Sequence, residues 1–275
     1  MTMFQAIMIA LVQGVTELFP VSSLGHAVVL PALLGWSIDQ KSPEFLPFIV
    51  VLHFGTSLAL LSYFWRDWLN FARAVISGGG AKSLAERKIF YLIVIATLPG
   101  VVIGYTFEHM VRNFFGSPRL AAIFLILNGV MLFLGERIKR SGTKTLDKIG
   151  WKAALAIGSC QALALVPGIS RSGATIIGGI LSGLKHHEAA RFSFLLSTPI
   201  IIGATLLEVP KLLHATPDQA FHLTTIVMGG VIAGITAWLS IFALMRYFKT
   251  HEVEALDPFA WYCWAFGVLA LISMW

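Results

Sequence analysis

The chain has 275 residues, of which 57% are hydrophobic and only 12% charged, with a mean hydropathy of +0.79. A soluble domain carries roughly 25% charged residues, so a soluble enzyme is excluded and an integral membrane protein is indicated. The net charge of +6 does not point to nucleic acid, because the basic residues cluster between apolar runs, as the positive-inside rule requires.

In chain order, the apolar segment Met1 to Val12 lacks the positive n-region and small-residue cleavage site of a secretory signal and is kept in the fold. Residues 1–35 are too interrupted for a simple crossing, with Gly14, Pro20, Ser22, Ser23 and Gly25 near the middle. Crossings of near 20 apolar residues, the length that spans a bilayer, follow at approximately 45–65, 89–107 and 119–136. Segment 153–184 is again broken, by Pro167, Gly168 and Ser170, and further crossings are predicted at 192–209, 223–245 and 258–275. Segments 66–88 and 137–152 read as long polar loops, and Gly78-Gly79-Gly80 as a turn, since no strand precedes it and no Gly-Lys-Ser/Thr follows. Cys160 and Cys263 both lie in apolar runs, which supports neither a disulfide framework nor a Cys-rich metal site.

Segments 66–88, 137–152, 185–191 and 246–257 hold fifteen of the twenty lysines and arginines, which assigns them to the cytoplasmic side and leaves Lys41, Arg112, Arg119 and Lys211 outside. Non-helical backbone survives at membrane depth only when buried in protein or lining a wet cavity, so each broken segment reads as a re-entrant helix pair. Each half then holds one re-entrant pair and three crossings, and because three is odd the second half enters inverted. The predicted fold is an all-α integral membrane protein with six transmembrane helices and two re-entrant pairs in an inverted-topology repeat. It forms one membrane domain, with halves at approximately 1–136 and 153–275 joined by a cytoplasmic linker at 137–152. Pro20 and Ser23 echo Pro167 and Ser170 at the same spacing, and Gly100 and Gly104 echo Gly230 and Gly234. Those glycine pairs are expected to serve helix packing.

The two breaks carry the chemistry. The first reads Gln13-Gly-Val-Thr-Glu17-Leu-Phe-Pro20-Val-Ser22-Ser23-Leu-Gly25-His26, and the second Pro167-Gly168-Ile-Ser170-Arg171-Ser172-Gly173. Acidic or basic charge at membrane depth costs ~2.5 kcal/mol or more, so such groups mark functional sites by default. Ser22 or Ser23, and Ser170, can cap half-helices, whose free N–H groups attract phosphate. With the Arg171 fork added, two converging helix starts make a diphosphate cradle, to which Ser22, Ser170, Ser172 and Gly173 are expected to contribute. Ser23 can act as nucleophile with His26 or Glu17 as base, or His26 can itself attack. Glu17 and Gln13 share a helix face and can alternatively hold Mg²⁺ or Ca²⁺. Blander readings stand beside these: the serines as caps and packing devices, and Glu17 with Arg171 as a structural ion pair. His53, His186, His187 and His251 are set aside as structural or solvated. If the breaks meet, Ser23 and Arg171 can contact one phosphate, Glu17 and His26 line the same cavity, and that cavity opens opposite the basic loops through an apolar lateral mouth.

These residues resemble the undecaprenyl pyrophosphate phosphatase family, also called the bacitracin-resistance family. Its first motif stands here as Gln13, Glu17, Pro20, Val21, Ser22, Ser23, Gly25 and His26, and its second as Pro167, Gly168, Ser170, Arg171, Ser172, Gly173, Ala174 and Thr175. Weaker similarity at Gly55-Thr-Ser-Leu-Ala and Phe192-Ser-Phe-Leu-Leu extends the likeness over much of the chain. The resemblance implies hydrolysis of a C55 polyprenyl diphosphate to the monophosphate carrier, a site facing the outer side of the bacterial cytoplasmic membrane, and assistance by Mg²⁺ or Ca²⁺. Family proteins with Glu at the position of Gln13 have a second carboxylate that this chain lacks. The expected partners are the polyprenyl diphosphate substrate and membrane lipids, with a homodimer left open and no nucleic acid. A polyprenyl-phosphate or anion transporter is the competing function, since secondary transporters also use inverted repeats with midplane breaks.

Overall fold

The computed structural model describes residues 1–38, 45–77, 80–106, 117–138, 142–213 and 220–274. These residues form helices α1 (Met3–Thr16), α2 (Ser23–Leu33), α3 (Phe45–Tyr63), α4 (Trp65–Ser77), α5 (Ala81–Thr106), α6 (Pro118–Ile138), α7 (Trp151–Cys160), α8 (Arg171–Leu181), α9 (His186–Leu213), α10 (Ala220–Thr250) and α11 (Asp257–Ser273). Among the described residues there is no strand, only an isolated bridge between Lys144 and Leu184. Four helices are long and apolar enough to cross a membrane, or up to five if the bent pair α3 and α4 counts as one. This is a multi-pass membrane protein.

Local chemistry explains the helix starts. Thr2 and Gln5 close a reciprocal capping box on α1, and the side chains of Ser22 and Ser170 accept hydrogen bonds from the Gly25 and Gly173 amides to start α2 and α8. These caps satisfy donors that the first helical turn leaves unpaired. Each broken segment is thus a pair of helices, α1 with α2 and α7 with α8, the latter joined through a 3₁₀ turn at Gln161–Leu165.

Segment 66–88 is not the polar loop expected from its charge. It is helical over Trp65–Ser77 and again from Ala81, because its apolar residues recur at helical spacing and Phe71 and Ala74 are buried in the core. Helix α5 accordingly begins well before the expected crossing at 89–107. Lys41, Gly78, Gly79, Arg112, Lys139 and Arg140 lie outside the described residues, as does the side chain of Lys211.

The packing crosses between the halves. Helix α1 lies along α10 and α7 lies along α5, while α3 packs on both α9 and α10 and α6 packs on α11. Gly14 and Gly158 sit in those two crossed contacts, where an added Cβ would collide with the Ala233 and Ala96 carbonyls respectively. Glycine lets the half-helix press against its neighbour's backbone. The two Gly-x3-Gly echoes differ: Gly230 and Gly234 meet α3 closely at Gly55, whereas among the described residues a Cβ added at Gly100 would first meet the Ile200 side chain and one at Gly104 only Leu165, at 4.0 Å.

Candidate active site

The two breaks meet. Gly168, at φ +109, donates its backbone N–H to the Ser22 side chain at 3.2 Å, and a Cβ on Gly25 would lie 3.0 Å from the Gly168 Cα. Ser172 donates to the Phe19 carbonyl at 3.2 Å. Asn128, buried on α6, ties both breaks together: its amide N–H donates to the Pro20 carbonyl at 2.9 Å and its Oδ1 accepts from the Ser170 N–H at 2.8 Å. A side-chain amide can satisfy one donor and one acceptor that the interrupted helices leave bare.

Glu17 is the hub. Its Oε1 accepts from Arg171, which also donates to Ser197. Its Oε2 accepts from the Ser23 hydroxyl at 2.5 Å and from the Gln13 amide at 3.0 Å, and lies 3.0 Å from His53 Nε2. The other His53 nitrogen, Nδ1, is 2.8 Å from the Ile49 carbonyl, an oxygen that can only accept. A hydroxyl, a carboxylate, a guanidinium and an imidazole are thus linked across 154 residues of sequence separation by the buried Glu17.

They line a cavity of about 270 Å³. Glu17, Ser22, Ser23, His53, Gln161, Ser170, Arg171 and Thr205 form its polar wall, and Leu24, Ile49, Val50, Ile200, Ile201 and Ala204 are among its apolar lining. The starts of α2 and α8 both border it, and such helix starts favour phosphate. The remaining walls come from the N-terminal part of α3, the C-terminal parts of α5 and α9, and the 3₁₀ turn Gln161–Leu165 with Ile169 ahead of α8.

The other expected residues fall as follows. Ser22 and Ser170 act as caps, Ser170 and Ser172 share a hydroxyl contact at 3.0 Å, and Gly173 packs against Leu132 and Pro20. His26 does not border the cavity. Its Nδ1 meets the Ser22 carbonyl at 2.7 Å and its Nε2 the Tyr262 hydroxyl at 2.8 Å, with Phe266 stacked at 4.6 Å. The helix carries His26 one turn beyond Ser23, past the rim, so it braces Ser22 from behind. The structure brings His53 into the cavity instead, although a single histidine in an apolar run offered little signal beyond its position just ahead of Gly55-Thr-Ser. Ser197 and Asn128 are the other contributors that the sequence reading missed. His186 is distant, buried against Glu136 at 2.9 Å.

The resemblance implies a divalent cation, and the donor set does not suit one held by the protein. Both Glu17 oxygens already accept from positively charged or N–H and O–H donors, which leaves the buried, unpartnered carboxamide oxygens of Gln13 and of the cavity-lining Gln161 as neutral oxygens nearby among the described residues. Mg²⁺ and Ca²⁺ require several oxygen ligands, and among the described residues no group of three or more His, Cys, Asp or Glu side chains gathers to supply them.

The family model described as Bacitracin resistance protein BacA matches residues 6–269. An undecaprenyl-diphosphatase from Granulibacter bethesdensis is 52% identical, covering 98% of this chain and 96% of that protein. Proteins of the same name from Acidiphilium cryptum and Gluconacetobacter diazotrophicus are 48% and 49% identical, over 99% and 100% of this chain and 98% of each relative. The broken helix pairs joined through Glu17 and Arg171 therefore sit in a member of the BacA bacitracin-resistance family, to which this chain belongs.

Proposed function

We propose that the chain hydrolyses undecaprenyl diphosphate to undecaprenyl phosphate and inorganic phosphate. The observation that carries this reading is Glu17 binding both Ser23, at the start of one half-helix, and Arg171, at the start of the other, on the wall of one cavity. The names of the relatives support the substrate, and the apolar side of the cavity suits the first isoprene units, which gain about 0.8 kcal/mol per buried CH₂.

In this mechanism the terminal phosphate enters between the two helix starts and takes the Arg171 fork through two oxygens. Ser23 Oγ attacks the terminal phosphorus while its proton passes to Glu17, already in hydrogen-bond reach. The bond from that phosphorus to the bridging oxygen breaks, and polyprenyl phosphate leaves. Water then attacks the phosphoserine, Glu17 returns the proton to Ser23 Oγ, and inorganic phosphate is released. Arg171, the first-turn amides and His53 hold the charge on the phosphoryl oxygens. His26 serves as a positioning residue for Ser22 and Ser23. No step passes through a protein-held metal; a divalent cation, if used, enters as the counter-ion of the diphosphate.

The membrane arrangement belongs to the same proposal. The six helices α3, α5, α6, α9, α10 and α11 cross the bacterial cytoplasmic membrane, and the two broken pairs are re-entrant in an inverted repeat, supported by the crossed packing of α1 on α10 and α7 on α5. The cavity is walled by the helix ends remote from the basic segments, which supports an opening to the external face. The test is phosphate release by purified, detergent-solubilised protein given C55 diphosphate with Mg²⁺, with Ca²⁺ or with EDTA. Stoichiometric phosphate and lipid monophosphate are expected. Unchanged diphosphate in every arm, with lipid moved between leaflets in vesicles, would make the transporter the better account.

A further inference from the structure

Helix α4 (Trp65–Ser77) has no part in the chemistry above, and its surface is divided into three stripes. Asp67, Phe71 and Ala74 face the protein: Asp67 pairs with Arg191 on α9, and Phe71 and Ala74 are buried. Trp65, Leu69, Ala72 and Ile76 form a second stripe at helical spacing, and all four are exposed, Ile76 by 85%. Arg66 and Arg73, seven residues apart, form a third exposed stripe. Among the described residues neither arginine pairs with a carboxylate; Arg66 only leans over the Trp65 ring at 5.3 Å. The helix departs from α3 by 71°, so when α3 crosses the membrane α4 runs closer to the membrane plane than to its normal.

We propose that α4 is an interfacial helix that binds anionic glycerophospholipid headgroups, with Ile76, Leu69 and Trp65 inserted at the acyl boundary and Arg66 and Arg73 clamping the phosphates. An apolar stripe beside a basic stripe, on a helix lying along the membrane, is the pattern of an in-plane anchor. Charge complementarity selects the occupant. Helix α5, which packs on α4, adds Lys82, Arg87 and Lys88 against the single Glu86, a net positive charge that repels a basic partner and attracts an acidic leaflet. Trp65 suits the boundary because its ring is apolar and its N–H polar. The inference rests on the proposed crossing of α3 and not on the phosphatase reading.

Native mass spectrometry of the detergent-solubilised full chain, titrated with phosphatidylglycerol against phosphatidylcholine, tests it. The wild type is expected to retain phosphatidylglycerol preferentially, and the Arg66→Gln/Arg73→Gln variant to lose roughly fivefold of that preference per arginine. The Arg66→Lys/Arg73→Lys variant, which keeps both charges, should retain most of it and controls for misfolding. In phosphatidylglycerol vesicles, Ile76→Cys should resist a water-soluble maleimide while Arg73→Cys reacts, with wild-type labelling of Cys160 and Cys263 as the baseline. Equal retention of the two lipids by wild type and the Gln variant would overturn the proposal. So would ready labelling of Ile76→Cys in vesicles, which would mean that the stripe faces water or a soluble partner. If Arg73→Cys labels from the side opposite the basic segments while the lipid preference survives, the orientation fails and the lipid site stands.

Discussion

Ser23 donates its hydroxyl hydrogen bond to Glu17 at 2.5 Å. This contact joins the start of α2 to the end of α1 across the first break, and in the proposed mechanism it puts the proton to be removed next to the group that takes it. Ser23→Ala should therefore retain the fold and lose turnover by about 10²-fold or more, the scale of positioned acid–base chemistry. Phosphate release together with an unchanged melting curve checks it. Wild-type-like turnover of folded Ser23→Ala would remove Ser23 as nucleophile.

Arg171→Lys is expected to lose at least about tenfold of kcat/KM, because a point charge cannot reproduce a two-oxygen grip on a phosphoryl group. The same kinetic assay on properly inserted protein decides it. Retained activity would mean that the Glu17–Arg171 pair is only a structural ion pair.

The two histidines should separate. His53→Ala removes a donor from the Glu17 carboxylate inside the cavity and should lower kcat with little change in the melting temperature. His26→Ala removes a buried ring stacked on Phe266 and bonded to Ser22 and Tyr262. It should lose most turnover and also about 2–4 kcal/mol of stability, as large core truncations do. An acid-labile phosphoenzyme lost in His26→Ala, with Ser23→Ala still forming it, would make histidine the nucleophile.

Gln13→Glu would set a second carboxylate beside Glu17, where the Gln13 amide now donates at 3.0 Å. Two adjacent carboxylates repel unless a cation intervenes. The variant is expected to depend more steeply on Mg²⁺ or Ca²⁺ than the wild type, measured as phosphate release against free metal. An identical metal response would show that position 13 does not set cation dependence.

The meeting of the breaks was legible because lipid penalises charge and bare backbone. Glu17, Arg171 and the interrupted helices in two remote segments make sense only if they face each other. His53 and Asn128 were not legible in that way: each is an isolated polar residue flanked by apolar ones in a largely apolar helix, and nothing in its own helix names a partner that comes from elsewhere in the fold. His26 misled through spacing, since a residue three after Ser23 shares its helix face yet lies a turn deeper, beyond the cavity rim. Counting charges likewise hid α4, whose arginines suggested a loop while its apolar residues at three- and four-residue spacing were forming a helix.

Asn128→Leu should destabilise the protein by about 1–3 kcal/mol or more, because it strands a buried N–H at Ser170 and a carbonyl at Pro20. Thermal unfolding in detergent reads this directly. An unchanged melting curve would mean that the breaks are held together by their other contacts alone.

The central claim is that two helix breaks from opposite halves of the chain act on one phosphate. A double-mutant cycle on phosphate release, with Ser23→Ala, Arg171→Lys and the double variant, tests it most directly, since residues that act as a unit are strongly non-additive. The double variant is predicted to be little worse than the more damaged single variant. Losses that multiply across the two halves would contradict a shared site.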